Sequence, residues 1–286
     1  MATLPLPEGY LRIRSPPITL VCRTDLAVPL ERAGLLCPAE PESWAARVAG
    51  YHQGRGRSVV LEFDGLPEGC VVVKRMQHGG WFGKLRGSLF ARPARVMSEL
   101  RVVEHLRRRG VRTPAMVFVR IRDVAGPACR VWVGTEEVAG AQDLGAWLRP
   151  APERSHSVRG RVLEGVGRLV AAIHDAGVHH ADLNLRNLLV RETEPEAPFV
   201  IDLDQSCIEV PLAHRRRIQN LERLWRSVVK SGLGQRGEAI RWALRFLRGY
   251  SGSAYRETWC DVLALWRRTS WRHRLAWWLT RSVGRA

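Results

Sequence analysis

Asp182, Asn187 and Asp202 are oxygen-bearing side chains at spacings that suit phosphoryl transfer. They stand in residues 177–204, GVHHADLNLRNLLVRETEPEAPFVIDLD, as His180-x-Asp182-x-x-x-x-Asn187 followed by two short apolar runs and Asp202. Such chemistry needs an acceptor hydroxyl held in line with a γ-phosphate, an oxygen to take its proton, and hard oxygen ligands for Mg²⁺. Asp182, in a loop after a helix, suits the proton. Asn187, where the loop turns into a hairpin, offers an amide oxygen to a metal. Asp202 ends the return strand and comes back beside Asn187 as the main metal carboxylate.

Each residue alone also carries a plainer reading. Asp is a favoured helix N-cap, and Asp202 or Asp204 can simply end a strand. His180 reads as a brace of the loop rather than a base, and His174 and His179 as packing or surface residues. The joint register of Asp182, Asn187 and Asp202 around a hairpin is what points to catalysis.

The elements that must position these groups are legible in outline. Residues 158–176 put Val162, Val166, Leu169, Val170 and Ile173 on one helical face ending before Gly177. The runs NLLV and FVIDL flank the acidic loop ETEPEAP and read as a tight hairpin, and after Pro211 the chain reads as helical and Arg-rich to its end. Upstream, SVVLEFDG and GCVVVKRM form a strand pair about a Gly- and Pro-containing turn. Residues 94–109 form a helix closed by Gly110, and the strands MVFVRI and CRVWVGTEEV follow it. The expected fold is α+β and two-lobed. Residues 1–45 are an extension, 46–138 a small β-rich lobe that binds ATP, and 139–286 a helical lobe carrying the catalytic loop.

Three features of the small lobe suit a nucleotide. Lys74 ends Val71-Val72-Val73 and could offer a cation to phosphates. Glu99, on the following helix, can pair with Lys74, although Glu104 competes for that role. Gly54 and Gly56, in Gly54-Arg55-Gly56-Arg57, suit a flexible lid over the phosphates, and a simple turn equally.

The 286 residues carry 45 Lys+Arg against 28 Asp+Glu, a formal charge of +17 that is mostly Arg and implies an anionic partner. No helix-turn-helix, zinc or RNA-recognition signature supports nucleic acid as that partner. The six cysteines are scattered with no C-x-x-C pair, which argues against a zinc ribbon or disulfide framework and for a reducing compartment. The N-terminus lacks the apolar core of a signal peptide, and no uncharged run approaches the roughly 20 residues that span a bilayer. The chain reads as cytoplasmic. Near its end, within helix 262–285, Trp271, Leu275, Trp278 and Leu279 share a helical face that Arg272, Arg274 and Arg281 largely avoid. Trp with Arg suits a helix lying in a headgroup layer, and closure of the helical core is the other reading.

The segment 177–204 resembles the catalytic loop and metal-binding strand of the kinase-like superfamily. Ala181 stands where protein kinases usually carry Arg, and Leu203-Asp204 where they carry Phe-Gly, which favours the small-molecule and glycolipid branch. Within it the chain is similar to the lipopolysaccharide kinases over roughly residues 50–232, through GRGR, VVVKRMQHGGWFGKL, RGVRTP, HHADLNLRNLLV, VIDLDQS and NLERLWRSVVK. The loop Asp-Leu-Asn and the run at 220–227 resemble the branch acting on 3-deoxy-D-manno-octulosonic acid (Kdo). The resemblance implies ATP and Mg²⁺ as cofactors, a Kdo hydroxyl on Kdo-lipid A as acceptor, and a peripheral place at the cytoplasmic face of the inner membrane. A heptose kinase, another small-molecule or protein kinase of this fold, and a catalytically inactive kinase-fold binding module are the alternatives.

Overall fold

A computed structural model describes residues 5–44, 47–52, 58–62, 69–76, 94–126, 128–149, 151, 154–233 and 236–283. Its contacts divide the chain into two units, residues 1–108 with 113–139 and residues 109–112 with 140–286. The fold is α+β: the first unit is built on a sheet and the second is mainly helical.

Among the described residues the first unit holds seven strands: β1 (Tyr10–Ser15), β2 (Ile18–Arg23), β3 (Arg47–His52), β4 (Ser58–Glu62), β5 (Cys70–Arg75), β6 (Met116–Ala125) and β7 (Ala128–Glu136). They form one sheet in the order β1-β2-β6-β7-β5-β4-β3, with every neighbouring pair antiparallel. The β-branched runs explain the central strands, because alternate residues face opposite sides of a pleat. Val59 lies opposite Val73 and Leu61 opposite Val71, and all four are buried in a core with Leu20, Cys22, Trp44, Phe118 and Trp132. The intervening Val72 and Lys74 turn to the other face. Helix α1 (Ala27–Arg32) adds Leu30 to this core, and helix α2 (Ala94–Arg107) buries Val96, Leu100, Val103 and Leu106.

The first 45 residues, which the sequence suggests are an extension, supply β1, β2 and α1. β2 pairs with the central strand β6, Val21 opposite Val119. The prolines that punctuate this stretch hide its alternation, since Pro16-Pro17 occupies the turn between the two strands.

Arg120 of β6 is fully buried in this sheet. Its Nε donates to the Leu35 carbonyl at 2.8 Å and its Nη2 to the Cys37 carbonyl. The guanidinium lies 5.3 Å from the Trp44 ring centroid and 4.8 Å from that of Trp132. Burial pushes its pKa down to about 10, so it stays charged at neutral pH and needs those carbonyls and ring faces.

The second unit contains β8 (Ala141–Asp143), α3 (Leu144–Trp147), α4 (His156–Asp175), β9 (Val178–His179), β10 (Leu188–Arg191), β11 (Phe199–Val200), β12 (Cys207–Ile208), α5 (His214–Ser231), α6 (Arg236–Ser251) and α7 (Tyr255–Val283). Ser155 caps α4 by accepting from the Val158 amide, and the expected apolar face of that helix, from Val162 to Ile173, is buried. α4 crosses α6 at bare backbone. A Cβ on Gly167 would lie 2.0 Å from the Phe246 carbonyl oxygen, and one on Gly249 would lie 2.0 Å from that of Glu164. β10 pairs with β11 and β8, so the expected hairpin is present with a third strand on its other side. The six cysteines are free thiols.

Candidate active site

Asp182, Asn187 and Asp202 come together at the open end of the β10–β11 hairpin. Leu188 lies opposite Val200, and the next step outward is a hydrogen bond from the Ile201 amide to the Asn187 carbonyl at 3.0 Å. Asp202 is therefore one residue beyond the position facing Asn187. The loop before the hairpin folds back on itself: the Asn187 Nδ2 donates to the Asp182 carbonyl at 2.8 Å and the Asn184 Nδ2 donates to the same oxygen at 2.9 Å. The Nδ2 bond fixes the buried Asn187 side chain against the loop and leaves its Oδ1 out of that bond.

His180 ties the loop to the return strand. Its Nδ1 accepts from the Asp182 amide at 3.1 Å, and its Nε2 donates to the Ile201 carbonyl at 3.2 Å. This pairing requires the neutral ring, and burial pushes the His180 pKa down to about 4. Asp202 itself has a φ of 60°. That left-handed conformation costs a residue with a Cβ about 1–2 kcal/mol, and it persists where neighbours fix the backbone on both sides. Here Ile201 is held by Asn187 and His180, and Leu203 is buried with its carbonyl accepting from the Ser206 amide at 3.0 Å. Asp204 lies in the following turn.

Helix α5 follows the loop along one face. Asn220 accepts from the His180 amide at 3.0 Å and donates to the His180 carbonyl at 2.8 Å. Arg223 meets Asp182 Oδ1 through Nη1 at 3.0 Å. Ser227 accepts from the Leu185 amide at 3.2 Å. Positions i, i+3 and i+7 of a helix share a face, so three residues of α5 reach loop residues 180, 182 and 185 in turn. Beneath them the Asn220 Oδ1 also takes a hydrogen bond from His174 Nε2 at 3.2 Å, and His174 Nδ1 accepts from the Tyr250 hydroxyl at 2.9 Å. Burial likewise pushes the His174 pKa down to about 4. In the sequence, the run at 220–227 is marked only by its resemblance. Nothing else in the sequence singles out Asn220, Arg223 and Ser227, because the helix that carries them is polar and Arg-rich along most of its length.

In the first unit, Lys74 is exposed on β5 between Ser58 of β4 and Val133 of β7, and Glu99 is half-buried on α2. The competitor Glu104 is engaged elsewhere: it accepts from the Tyr10 hydroxyl at 2.9 Å and lies 3.7 Å from Arg107. Gly54 and Gly56 fall between β3 and β4, whose last pair is His52 with Ser58. Both glycines lie outside the described residues, as do the side chains of the Trp- and Arg-rich C-terminal stretch.

The donor set at the hairpin fits a hard, partly hydrated cation. Among the described residues no three His, Cys, Asp or Glu side chains gather at one point. A divalent ion here would draw on Asp202, the Asn187 Oδ1, phosphate oxygens and water. Mg²⁺ favours that mixed oxygen shell, and softer metals do not.

Residues 44–250 match the lipopolysaccharide kinase (Kdo/WaaP) family. The 3-deoxy-D-manno-octulosonic acid kinase of Actinobacillus succinogenes is 28% identical, covering 73% of this chain and 84% of the relative. That of Vibrio cholerae is 29% identical, with 71% and 83% covered, and that of Haemophilus influenzae is 29% identical, with 64% and 76% covered. A solved structure described as WaaP in complex with acyl carrier protein is 26% identical with a TM-score of 0.53, covering 80% of this chain and 89% of its own.

Proposed function

The chain belongs to the lipopolysaccharide kinase (Kdo/WaaP) family, and from that premise we propose that it uses ATP and Mg²⁺ to phosphorylate a hydroxyl of Kdo in Kdo-lipid A. That it is a phosphotransferase of lipopolysaccharide biosynthesis follows from the family and its relatives; the acceptor and the residue roles are our reading.

In this reading Asp182 accepts a hydrogen bond from the acceptor hydroxyl, orients it and takes its proton. Asn187 and Asp202 would hold Mg²⁺, which supplies charge neutralisation on the phosphates. Lys74, steadied by Glu99, would meet the α- and β-phosphates, and Gly54 and Gly56 would lie over them. The observation that carries the reading is the Asn187 side chain, fixed through Nδ2 to the Asp182 carbonyl, while the Asn187 main-chain carbonyl accepts from the Ile201 amide next to Asp202. One hydrogen-bonded unit thus holds the proposed base and both proposed metal ligands. His180 supports this as a neutral brace.

Purified protein with labelled ATP should phosphorylate Kdo-lipid A and leave heptosylated lipid A and generic protein acceptors unlabelled. Labelling of a heptose or a protein instead would overturn the acceptor assignment. ATP turnover that is absent with every acceptor would favour the inactive binding module.

No helix among the described residues is long and apolar enough to cross a membrane. The charge of +17 supports peripheral attachment to an anionic inner-membrane surface at its cytoplasmic face. Salt-sensitive sedimentation with phosphatidylglycerol vesicles, and none with phosphatidylcholine vesicles, is the expected result.

An acyl carrier protein is a second partner to test, because the solved WaaP structure includes one. Co-purification of tagged chain with acyl carrier protein checks it.

A further inference from the structure

We propose that Arg223 recognises the acid group of an anionic acceptor sugar beside Asp182, an inference that rests on the acceptor class assigned above. Its guanidinium lies 3.0 Å from Asp182 Oδ1, and both side chains are about half exposed, 43% for Arg223 and 53% for Asp182.

The other contacts along α5 clarify what Arg223 does. Asn220 and Ser227 bind loop backbone at residues 180 and 185. Asp182 backbone is itself held by three bonds, its amide to His180 and its carbonyl to Asn184 and Asn187. The loop geometry is therefore set without Arg223. Of the three α5 residues, it is the one that is charged, reaches solvent and touches the carboxylate instead of the backbone.

A hydroxyl delivered to Asp182 brings the rest of its sugar ring within a few ångströms of that guanidinium. The bond to Asp182 engages Nη1, and an arginine carries five N–H donors in a planar fork suited to a second carboxylate. Kdo is an octulosonic acid, so the proposed acceptor carries such a carboxylate. Burial first, and then Arg216 and Arg223 against an opposing Glu209, hold the pKa of the half-buried His179 below the usual imidazole range. An anionic acceptor would thus meet the Arg223 guanidinium beside Asp182. A neutral sugar would leave the guanidinium with Asp182 alone.

The test compares Kdo-lipid A with the same acceptor carrying its Kdo carboxylate as a methyl ester, using wild type, Arg223→Gln and Arg223→Lys. The wild type should prefer the acid by about tenfold or more in kcat/KM, the scale of one charge-assisted contact. Arg223→Gln should abolish the preference by raising KM for the acid, and Arg223→Lys should restore part of it. If Arg223→Gln lowers kcat equally for both acceptors and keeps the preference, Arg223 only positions Asp182 and the proposal is wrong. An absent preference in the wild type overturns it as well.

A turnover-free arm separates this from the acceptor assignment. Binding of free Kdo and of its methyl ester is measured by ligand-observed NMR. Acid-selective binding by the wild type and not by Arg223→Gln, with Kdo-lipid A left unphosphorylated, would sink the acceptor assignment and uphold Arg223. Equal binding of acid and ester by the wild type would sink the Arg223 proposal whatever the acceptor.

Discussion

Arg120 in the first unit and Asn220 in the second are both buried polar side chains, and both bind main-chain groups far away in sequence. Arg120 bonds to the carbonyls of Leu35 and Cys37, Asn220 to both main-chain groups of His180. What they hold differs. Arg120 clamps the segment after α1 against a sheet, between tryptophan faces, and no exposed reactive group depends on it. Asn220 clamps a loop whose next residues present Asp182 to solvent. The same device gives stability alone where it braces packed chain, and gives stability with positioning where it braces a loop that carries a carboxylate.

That contrast can be broken by separating turnover from folding. The largest effect is expected for Asp182→Ala: a loss of turnover of about 10³-fold or more, as for a proton-accepting group, with the melting temperature almost unmoved because the side chain is half exposed. Near-wild-type phosphorylation by this variant would end the assignment of Asp182.

Next are the two clamps themselves. Arg120→Leu strands two buried carbonyls, and Asn220→Leu strands the His180 backbone and His174. Each should lose about 3 kcal/mol in denaturant unfolding, the scale of unsatisfied buried groups. The sharpened comparison is in the survivors: at a temperature where both variants remain folded, Arg120→Leu should keep its turnover number and Asn220→Leu should not. Equal turnover in the two would show that Asn220 has no positioning role.

Acid should act on the second unit selectively. His174 and His180 have folded pKa values near 4, below their unfolded value of 6.5. The unfolded chain therefore binds more protons between those limits, and stability present above pH 6.5 is lost as pH falls toward 4. Each ring contributes on the order of 3 kcal/mol over that window. Protonation of His180 also removes the acceptor for the Asp182 amide. Melting temperature followed from pH 7 to pH 4 should drop, and the slope should flatten in His174→Gln. An unchanged slope would mean that the ring is not held neutral.

The smallest effect is expected where a helix crossing permits no side chain. Gly167→Ala would press its Cβ against the Phe246 carbonyl, and a shift of the helices should lower stability by about 1–3 kcal/mol, as overpacking does. Urea unfolding checks it, with the Arg120→Leu transition as the reference.

Much of this molecule is legible in its sequence. The β-branched runs at 58–62 and 70–75, the apolar face of α4 and the hairpin after Asn187 follow from local periodicity. The joint register of Asp182, Asn187 and Asp202 identified the candidate site. Strands β1 to β3 escaped notice, because prolines interrupt the alternation of the first two and β3 is a short edge strand with a register shift. Asn220, Arg223 and Ser227 escaped as functional residues because their partners lie some 40 positions earlier in the chain, and no local pattern encodes such a contact.

The sequence by itself determined which residues have oxygens and cations to offer, and which elements carry them, since side-chain chemistry and hydrophobic period are properties of neighbours along the chain. Tertiary structure alone decided that Asn187 is held by its amide nitrogen, that His180 is neutral, and that an arginine stands beside Asp182. Each of these depends on burial and on a partner brought in from another element, which only folding supplies.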